Sequence, residues 1–361
     1  MLSRWGMEPS TAMLAKDAGK GLVQCLACRW YCRIPEAQAG NCGVRVNERG
    51  KLKLSVYGRP CAVHIDPIEK KPLFHFLPGS TSFSIGTFGC NFACEFCQNW
   101  DISQAPRGAR TKDPLKWREY FQHLIDMCDE WPPERVVEEA VRNGCKSISF
   151  TYNEPTIFTE YAIDVMKVAR KKGLRGVYVT NGYESHECWD AIKGHIDAAN
   201  IDLKAYNKKF YTQLCKVPDF EPVKDSIVYA KSLGIHVETT TLIIPDWNDN
   251  EQELKAEAEF FAFVDKEMPW HVTAFHPDYK LLDKEPTPPE ILIKAREIGK
   301  MAGLKHVYCG NVPLAYSDYE TTSCPSCGKA LIERRGYDIV QMGIKGGKCR
   351  FCKAAIKGVW K

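Results

Sequence analysis

No hydrophobic run in this chain approaches the ~18 residues that a membrane-spanning helix needs. The opening residues, MLSRWGMEPSTAMLAKDAGK, lack the apolar centre of a secretion signal. An excess of one charge is missing too. The 49 Lys and Arg stand against 45 Asp and Glu, a formal +4. That small surplus gives no pull toward an anionic membrane and argues against extended nucleic-acid contacts. There is no internal repeat, no low-complexity tract, no phosphate loop and no Ser–His–acid arrangement. GTFGC at 86–90 is not a dinucleotide fingerprint. These absences leave a globular protein expected in the cytoplasm, where thiols stay reduced.

Cysteine, by contrast, is abundant: 17 in 361 residues, eleven of them in three clusters. In a reducing compartment such clusters read as metal sites rather than disulfides. The other six, Cys61, Cys128, Cys145, Cys188, Cys215 and Cys309, read as small hydrophobes. The first cluster, Cys25, Cys28, Cys32 and Cys42, is spaced C-x2-C-x3-C-x9-C. Four thiolates close a site, and both zinc and an auxiliary [4Fe–4S] cluster are compatible with this spacing. The last cluster, Cys324, Cys327, Cys349 and Cys352, is C-x2-C-x21-C-x2-C. It reads as a zinc-ribbon-like staple, with iron as the competitor. A terminal segment this short has little core of its own and needs such a staple.

The middle cluster is short of one ligand. GCNFACEFCQNW (89–100) carries Cys90, Cys94 and Cys97 with no fourth partner nearby. Electron-transfer ferredoxins hold a cluster with four cysteines. Three thiolates leave one iron open to a ligand that is not protein.

Around this loop the hydrophobic pattern alternates strand-like and helical segments. Six strands are expected within TSFSIGTFG, CKSISFTYNEP, RGVYVTNGY, AANIDLKAY, IHVETTTLIIP and WHVTAFHPD, with KHVYCGNVP a candidate edge strand. Helices are expected at 134–143, 156–172, 223–233, 249–265 and 288–302. Another is expected on Trp117, Phe121, Leu124 and Cys128. The expected class is α/β, a partial (β/α)6 barrel. Its segments are 1–76 (N-terminal, four Cys), 77–316 (barrel) and 317–361 (zinc-ribbon-like). In such barrels chemistry gathers where strands end at their carboxyl side. Polar residues follow the strands there: TYNEP, TNGY, DLKAY, IIPDWND, FHPDY.

The C-x3-C-x2-C loop, placed after the first of these strands, resembles the signature of radical S-adenosylmethionine (SAM) enzymes. The resemblance implies a [4Fe–4S] cluster on Cys90, Cys94 and Cys97, with SAM chelated at the open iron. Reductive cleavage of SAM would then give a 5′-deoxyadenosyl radical that abstracts hydrogen from a substrate. Phe96 matches the position packed near the adenine. TYNEP stands where the family has Gly-Gly-Glu, so Asn153 and Glu154 are implied SAM contacts, although Tyr152 and Asn153 replace the glycines. Thr180, Asn181, Asp202, Lys204 and His276 resemble positions in glycyl-radical-activating enzymes. DPIEKKPLFHFLPGS, TYNEP, IPDWND and FHPDY together are similar to the AmmeMemoRadiSam-type proteins, which are like pyruvate formate-lyase-activating enzymes. That similarity implies a low-potential ferredoxin or flavodoxin as electron donor. It also implies a protein substrate or association with AMMECR1-like or Memo-like proteins. The competing expectation is a non-enzymatic iron–sulfur or zinc protein for sensing or interaction, which would not need the polar strand ends.

Overall fold

The computed structural model describes residues 10–108 and 114–361. The chain divides into two compact units. The first comprises Met1–Ile65, Ser82–Ala93 and Cys97–Asp197; the second comprises Asp66–Thr81, Cys94–Phe96 and Ala198–Lys361.

The first unit is built on three parallel strands, β1 (Thr81–Gly86), β2 (Ser147–Phe150) and β3 (Arg175–Thr180). Ser82 of β1 and Arg175 of β3 both stand opposite Ser147, so β2 is central, and all four of its residues are buried. The helices are α1 (Pro114–Asp126), α2 (Pro133–Arg142), α3 (Thr159–Arg170) and α4 (His186–Ile192). In α2, proline at the first turn loses no helical bond, and Val136, Val137 and Ala140 form the inner face. In α3, Tyr161, Ala162, Val165, Met166 and Ala169 recur at helical spacing and are buried. The expected single helix at 156–172 instead opens as a 3-10 turn, Pro155–Phe158, because the Glu154 carboxylate accepts the Thr156 N–H. Helix α4 was not expected. Seven residues leave little periodicity, but Ser185 caps it by accepting the Cys188 N–H. In α1, Phe121 and Ile125 are buried, while the Trp117 side chain lies outside the described residues.

The N-terminal segment folds into short antiparallel sheets. One joins Ala15–Asp17, Val23–Cys25 and Arg33–Ile34; the other joins Ser10–Thr11, Lys51–Leu54 and Arg45–Glu48. The alternation of KLKL follows from that pleat, with Leu52 and Leu54 inward.

The second unit carries four parallel strands in chain order: β4 (Ala198–Asp202), β5 (His236–Ile243), β6 (Trp270–Ala274) and β7 (Val307–Gly310). Its helices are α5 (Glu221–Ser232), α6 (Glu251–Asp265) and α7 (Pro289–Met301). The α/β class and its parallel strands are thus as expected. Phe74, His75 and Phe76 are buried, and the backbone N–H groups of Phe74 and His75 donate to Glu238 at 2.9 and 2.7 Å. The C-terminal segment forms an antiparallel sheet of Thr322–Ser323, Ala330–Arg335 and Asp338–Met342. Among the described residues, no helix is long and apolar enough to cross a membrane.

Candidate active site

The carboxyl ends of β1, β2 and β3 converge on residues 87–91. Asn153, just past β2, holds this stretch with its whole amide. Its Oδ1 accepts the Thr87 N–H at 3.1 Å, and its Nδ2 donates to Thr87 Oγ1 at 3.1 Å and to the Gly89 carbonyl at 2.8 Å. Asn181, just past β3, donates through Nδ2 to Asn91 Oδ1 at 2.7 Å, while its Oδ1 accepts the Tyr183 N–H. Asn99, behind Cys97, donates to the Tyr152 carbonyl at 2.8 Å. Gly86 does not bend the chain. A side chain there would stand 2.7 Å from the Thr151 carbonyl, so glycine permits close strand approach. Gly89 does need its freedom, with φ +95°.

Glu154 anchors the same strand ends from beneath. Its Oε1 accepts from Thr156 N, Thr156 Oγ1 and Thr180 Oγ1 at 2.7–2.9 Å, and its Oε2 accepts the Asn181 N–H at 2.8 Å. Thr180 Oγ1 also lies 2.5 Å from Glu184 Oε1. One hydroxyl proton cannot serve both carboxylates. A proton on Glu184 resolves this: it donates to Thr180, which donates to Glu154. Burial, and then the Glu154 charge, pushes Glu184 up to about 8. The structure therefore turns Asn153, Glu154, Thr180 and Asn181 toward each other and toward the cysteine loop. Sequence reasoning missed Thr87, Asn91, Asn99 and Glu184. The signal for three of them was their place beside a cysteine or beside TNGY.

In the second unit, Phe96 packs on Phe210 with ring centroids 5.5 Å apart. Lys204 Nζ lies 6.0 Å from the Phe96 ring and 2.7 Å from Asp202 Oδ2. The Glu95 backbone is pinned by Leu214 O, Lys280 N and Leu281 N at 2.9–3.1 Å, which fixes the stretch containing Cys94 and Phe96. Phe96, Asp202 and Lys204 are thus one cluster at the carboxyl end of β4. His276 follows β6 and is exposed.

The thiols fit an iron–sulfur cluster chemically. Cys90 Sγ accepts the Phe92 N–H at 3.4 Å, and Cys97 Sγ lies 3.1 Å from Ser103 Oγ, contacts suited to a ligating thiolate.

The N-terminal cysteines, all in the first unit, also meet. Cys25, Cys28, Cys32 and Cys42 line one cavity together with Arg45 and Asn91. Burial pushes the Cys25 thiol up to about 11 and Cys28 well above its ordinary value. As a bare set they are neutral, and a bound cation would have to displace their protons. Arg45 is held by Glu160 at 2.5 Å and by the Thr156 and Ile157 carbonyls.

The C-terminal four cysteines lie within 4.8 Å of one another and could hold a metal ion. Cys349 Sγ accepts the Phe351 and Cys352 N–H groups at 3.4 Å, the turn of a metal knuckle. Their segment docks at the amino ends of β5–β7, away from Asp202 and His276. Arg334 donates to the Phe74 carbonyl and Thr322 Oγ1, Thr322 contacts Tyr308, and His75 contacts Tyr308 and the Lys357 carbonyl.

Comparison with known proteins agrees with this geometry. A model of the radical SAM superfamily matches residues 84–258. An uncharacterized protein of Methanocaldococcus jannaschii is 42% identical over 344 residues, covering 94% of this chain and 97% of that protein. The chain belongs to the radical SAM superfamily. Membership implies a [4Fe–4S] cluster and SAM, and hence an enzyme. The pyruvate formate-lyase-activating enzyme of Clostridium pasteurianum is 21% identical over 215 residues, 55% of this chain and 81% of that one. A solved radical SAM methyltransferase from Sphaerobacter thermophilus has TM-score 0.47 at 14% identity, over 71% of each chain.

Proposed function

We propose that the protein cleaves SAM reductively to a 5′-deoxyadenosyl radical, which abstracts hydrogen from a protein substrate. The carrying observation is the convergence of three parallel strand ends on the cysteine loop through Asn153 and Asn181. Cys90, Cys94 and Cys97 would hold the cluster, which when bound supplies the electron for cleavage and an open iron for SAM. The chain's residues do the placing. Asn153 fixes the Gly89 carbonyl, and Asn181 fixes Asn91. Phe96 offers an apolar face for adenine. The Asp202–Lys204 pair supplies both charges that an amino acid and a ribose can use. Glu154, with its oxygens engaged, shapes the loops rather than reaching the ligand. His276, exposed at the rim, is assigned to the SAM or substrate side.

A protein substrate is favoured by the relative whose name is pyruvate formate-lyase-activating enzyme. The same reading places the protein in the cytoplasm, in the AmmeMemoRadiSam group, with a ferredoxin or flavodoxin donor and AMMECR1-like or Memo-like associates. Zinc is assigned to Cys324, Cys327, Cys349 and Cys352. The segments 1–76, 77–316 and 317–361 are read as a metal-bearing entry, a catalytic barrel and a stapled tail. The test is anaerobic reconstitution with SAM and dithionite, followed by mass spectrometry of 5′-deoxyadenosine. Cys90→Ala, Cys94→Ala or Cys97→Ala should abolish its formation and leave zinc content intact. Undiminished formation in those variants would overturn the assignment.

A further inference from the structure

We propose that Cys25, Cys28, Cys32 and Cys42 hold a second iron–sulfur cluster, and that it passes electrons to the catalytic one. This rests on the reading of Cys90, Cys94 and Cys97 given above.

Three observations carry it. The first is chemistry: the N-terminal four thiols line one cavity, and four thiolates are the ligand set of an iron–sulfur cube. The second is position. Cys42 and Gly89 are in such close contact that a Cβ on Gly89 would stand 2.6 Å from the Cys42 carbonyl. Arg107 donates at once to the carbonyls of Asn41, Cys90 and Asn91, at 3.0–3.2 Å. Trp30, between Cys28 and Cys32, donates to the Asn91 carbonyl at 3.0 Å. The loop is docked at the end of β3 as well, where Arg29 N donates to the Tyr183 carbonyl at 2.9 Å. The four-thiol site therefore sits against the loop that carries Cys90.

The third is a donor. The Tyr183–Asn181–Asn91 chain fixes the Asn91 amide so that Oδ1 accepts. Its Nδ2, buried, has no hydrogen-bond partner among the described residues, and Asn91 lines the same cavity. An N–H donor toward cluster sulfur stabilises the reduced state. The proposed step is electron transfer alone. A low-potential ferredoxin or flavodoxin loses one electron to the second cluster, which loses it to the catalytic cluster; no bond forms or breaks.

The experiment uses the full chain, reconstituted anaerobically with ferrous iron and sulfide, with zinc measured in parallel. Cys90→Ala/Cys94→Ala/Cys97→Ala protein should keep about four irons and four sulfides and give a paramagnetic signal on reduction. A variant without iron but with a second zinc equivalent overturns the cluster. For the relay, Cys32→Ser, at the least buried of the four thiols, is driven either by reduced flavodoxin or by dithionite, with folding checked by circular dichroism. Loss of flavodoxin-driven 5′-deoxyadenosine with dithionite-driven formation retained supports the relay. Equal flavodoxin-driven rates in variant and wild type overturn it. Wild-type protein inactive with both reductants refutes the parent reading instead, while the iron count still decides the second cluster.

Discussion

Replacing Gly89 by alanine tests whether the two cysteine loops are one packed object. At φ +95° an L side chain is strained, which costs about 1–2 kcal/mol. The added Cβ would stand 2.6 Å from the Cys42 carbonyl oxygen, 2.7 Å from Val44 Cγ1 and 3.3 Å from Ile157 Cδ1. Two of these are far inside contact distance, and one is backbone that cannot rotate away. Forced overpacking adds about 1–3 kcal/mol, so Gly89→Ala should destabilise by about 2–5 kcal/mol. Gly173→Ala is the control: φ +75°, with no atom within 4 Å of the added Cβ. It should cost only the strain, about 1–2 kcal/mol. Urea unfolding of the anaerobic protein gives both values, and iron analysis adds a second reading. The clash lies between the loops, so Gly89→Ala should lower iron at both sites. A Gly89→Ala midpoint equal to that of Gly173→Ala would refute the contact argument.

Other expectations follow from the buried polar groups. Asn153→Ala orphans the Thr87 N–H and the Gly89 carbonyl, at about 1–3 kcal/mol each; a change in unfolding free energy below about 0.5 kcal/mol would contradict that. Burial, and then the Glu154 charge, pushes Glu184 up to about 8 from its ordinary 4.5. It keeps a proton that the unfolded chain has lost, so stability should fall as pH rises between these values. Glu184→Gln, neutral throughout, should flatten that slope in pH-dependent denaturation; an unchanged slope contradicts the assignment. Burial lowers His306 to about 4 and His75 well below its usual value. Both are neutral in the fold and charged when unfolded below pH ~6.5. Stability of the second unit should therefore be full above that pH and fall toward pH 4, as hydrogen exchange at β5–β7 would show. Cys349→Ala should remove one zinc equivalent and open residues 322–361 to proteolysis, while dithionite-driven SAM cleavage persists; lost cleavage with intact iron would place that segment in the chemistry.

The parallel strands and most helices were legible from apolar runs and helical periods bounded by turn residues. β5 runs for eight residues, six of them buried, and α6 runs for fifteen. The N-terminal sheets were legible only at the alternating KLKL, since their strands of two or three residues leave no period to read. The site was legible as a set and not as a geometry. TYNEP and TNGY were recognisable as polar strand ends. That Asn153 turns its amide to Thr87 and Gly89, or that Glu154 spends its oxygens on Thr180 and Asn181, depends on contacts 26 to 66 residues apart. Spacing along the chain carries no information about them. Glu238 shows the same limit. In sequence it is one polar residue among several in β5. Yet it is fully buried and gathers His236, His271 and two backbone N–H groups. Burial alone would raise its pKa, but the bonds from those histidines hold it well down.

Glu238 also bears on the proposal that the two four-cysteine motifs do different work. It is the third residue of β5, beside His271 near the start of β6 and Tyr308 near the start of β7. Phe74 and His75 are tied to it, Arg334 and Lys357 of the tail are tied to them, and Thr322 is tied to Tyr308. The tail is therefore anchored at the amino ends of its strands, where conserving the barrel is the task and no reacting atom is expected. Cys25–Cys42, in contrast, is anchored at carboxyl ends: Arg29 to Tyr183, Trp30 to Asn91, and Arg107 bridging Asn41 to Cys90. A metal at the first place can only stiffen the fold. A metal at the second shares a backbone contact with the cysteine loop, so any change in its charge is felt where SAM chemistry begins. The sequence spacing left zinc and iron open at both sites, and the proposal that they hold different metals rests on the strand ends at which each is anchored.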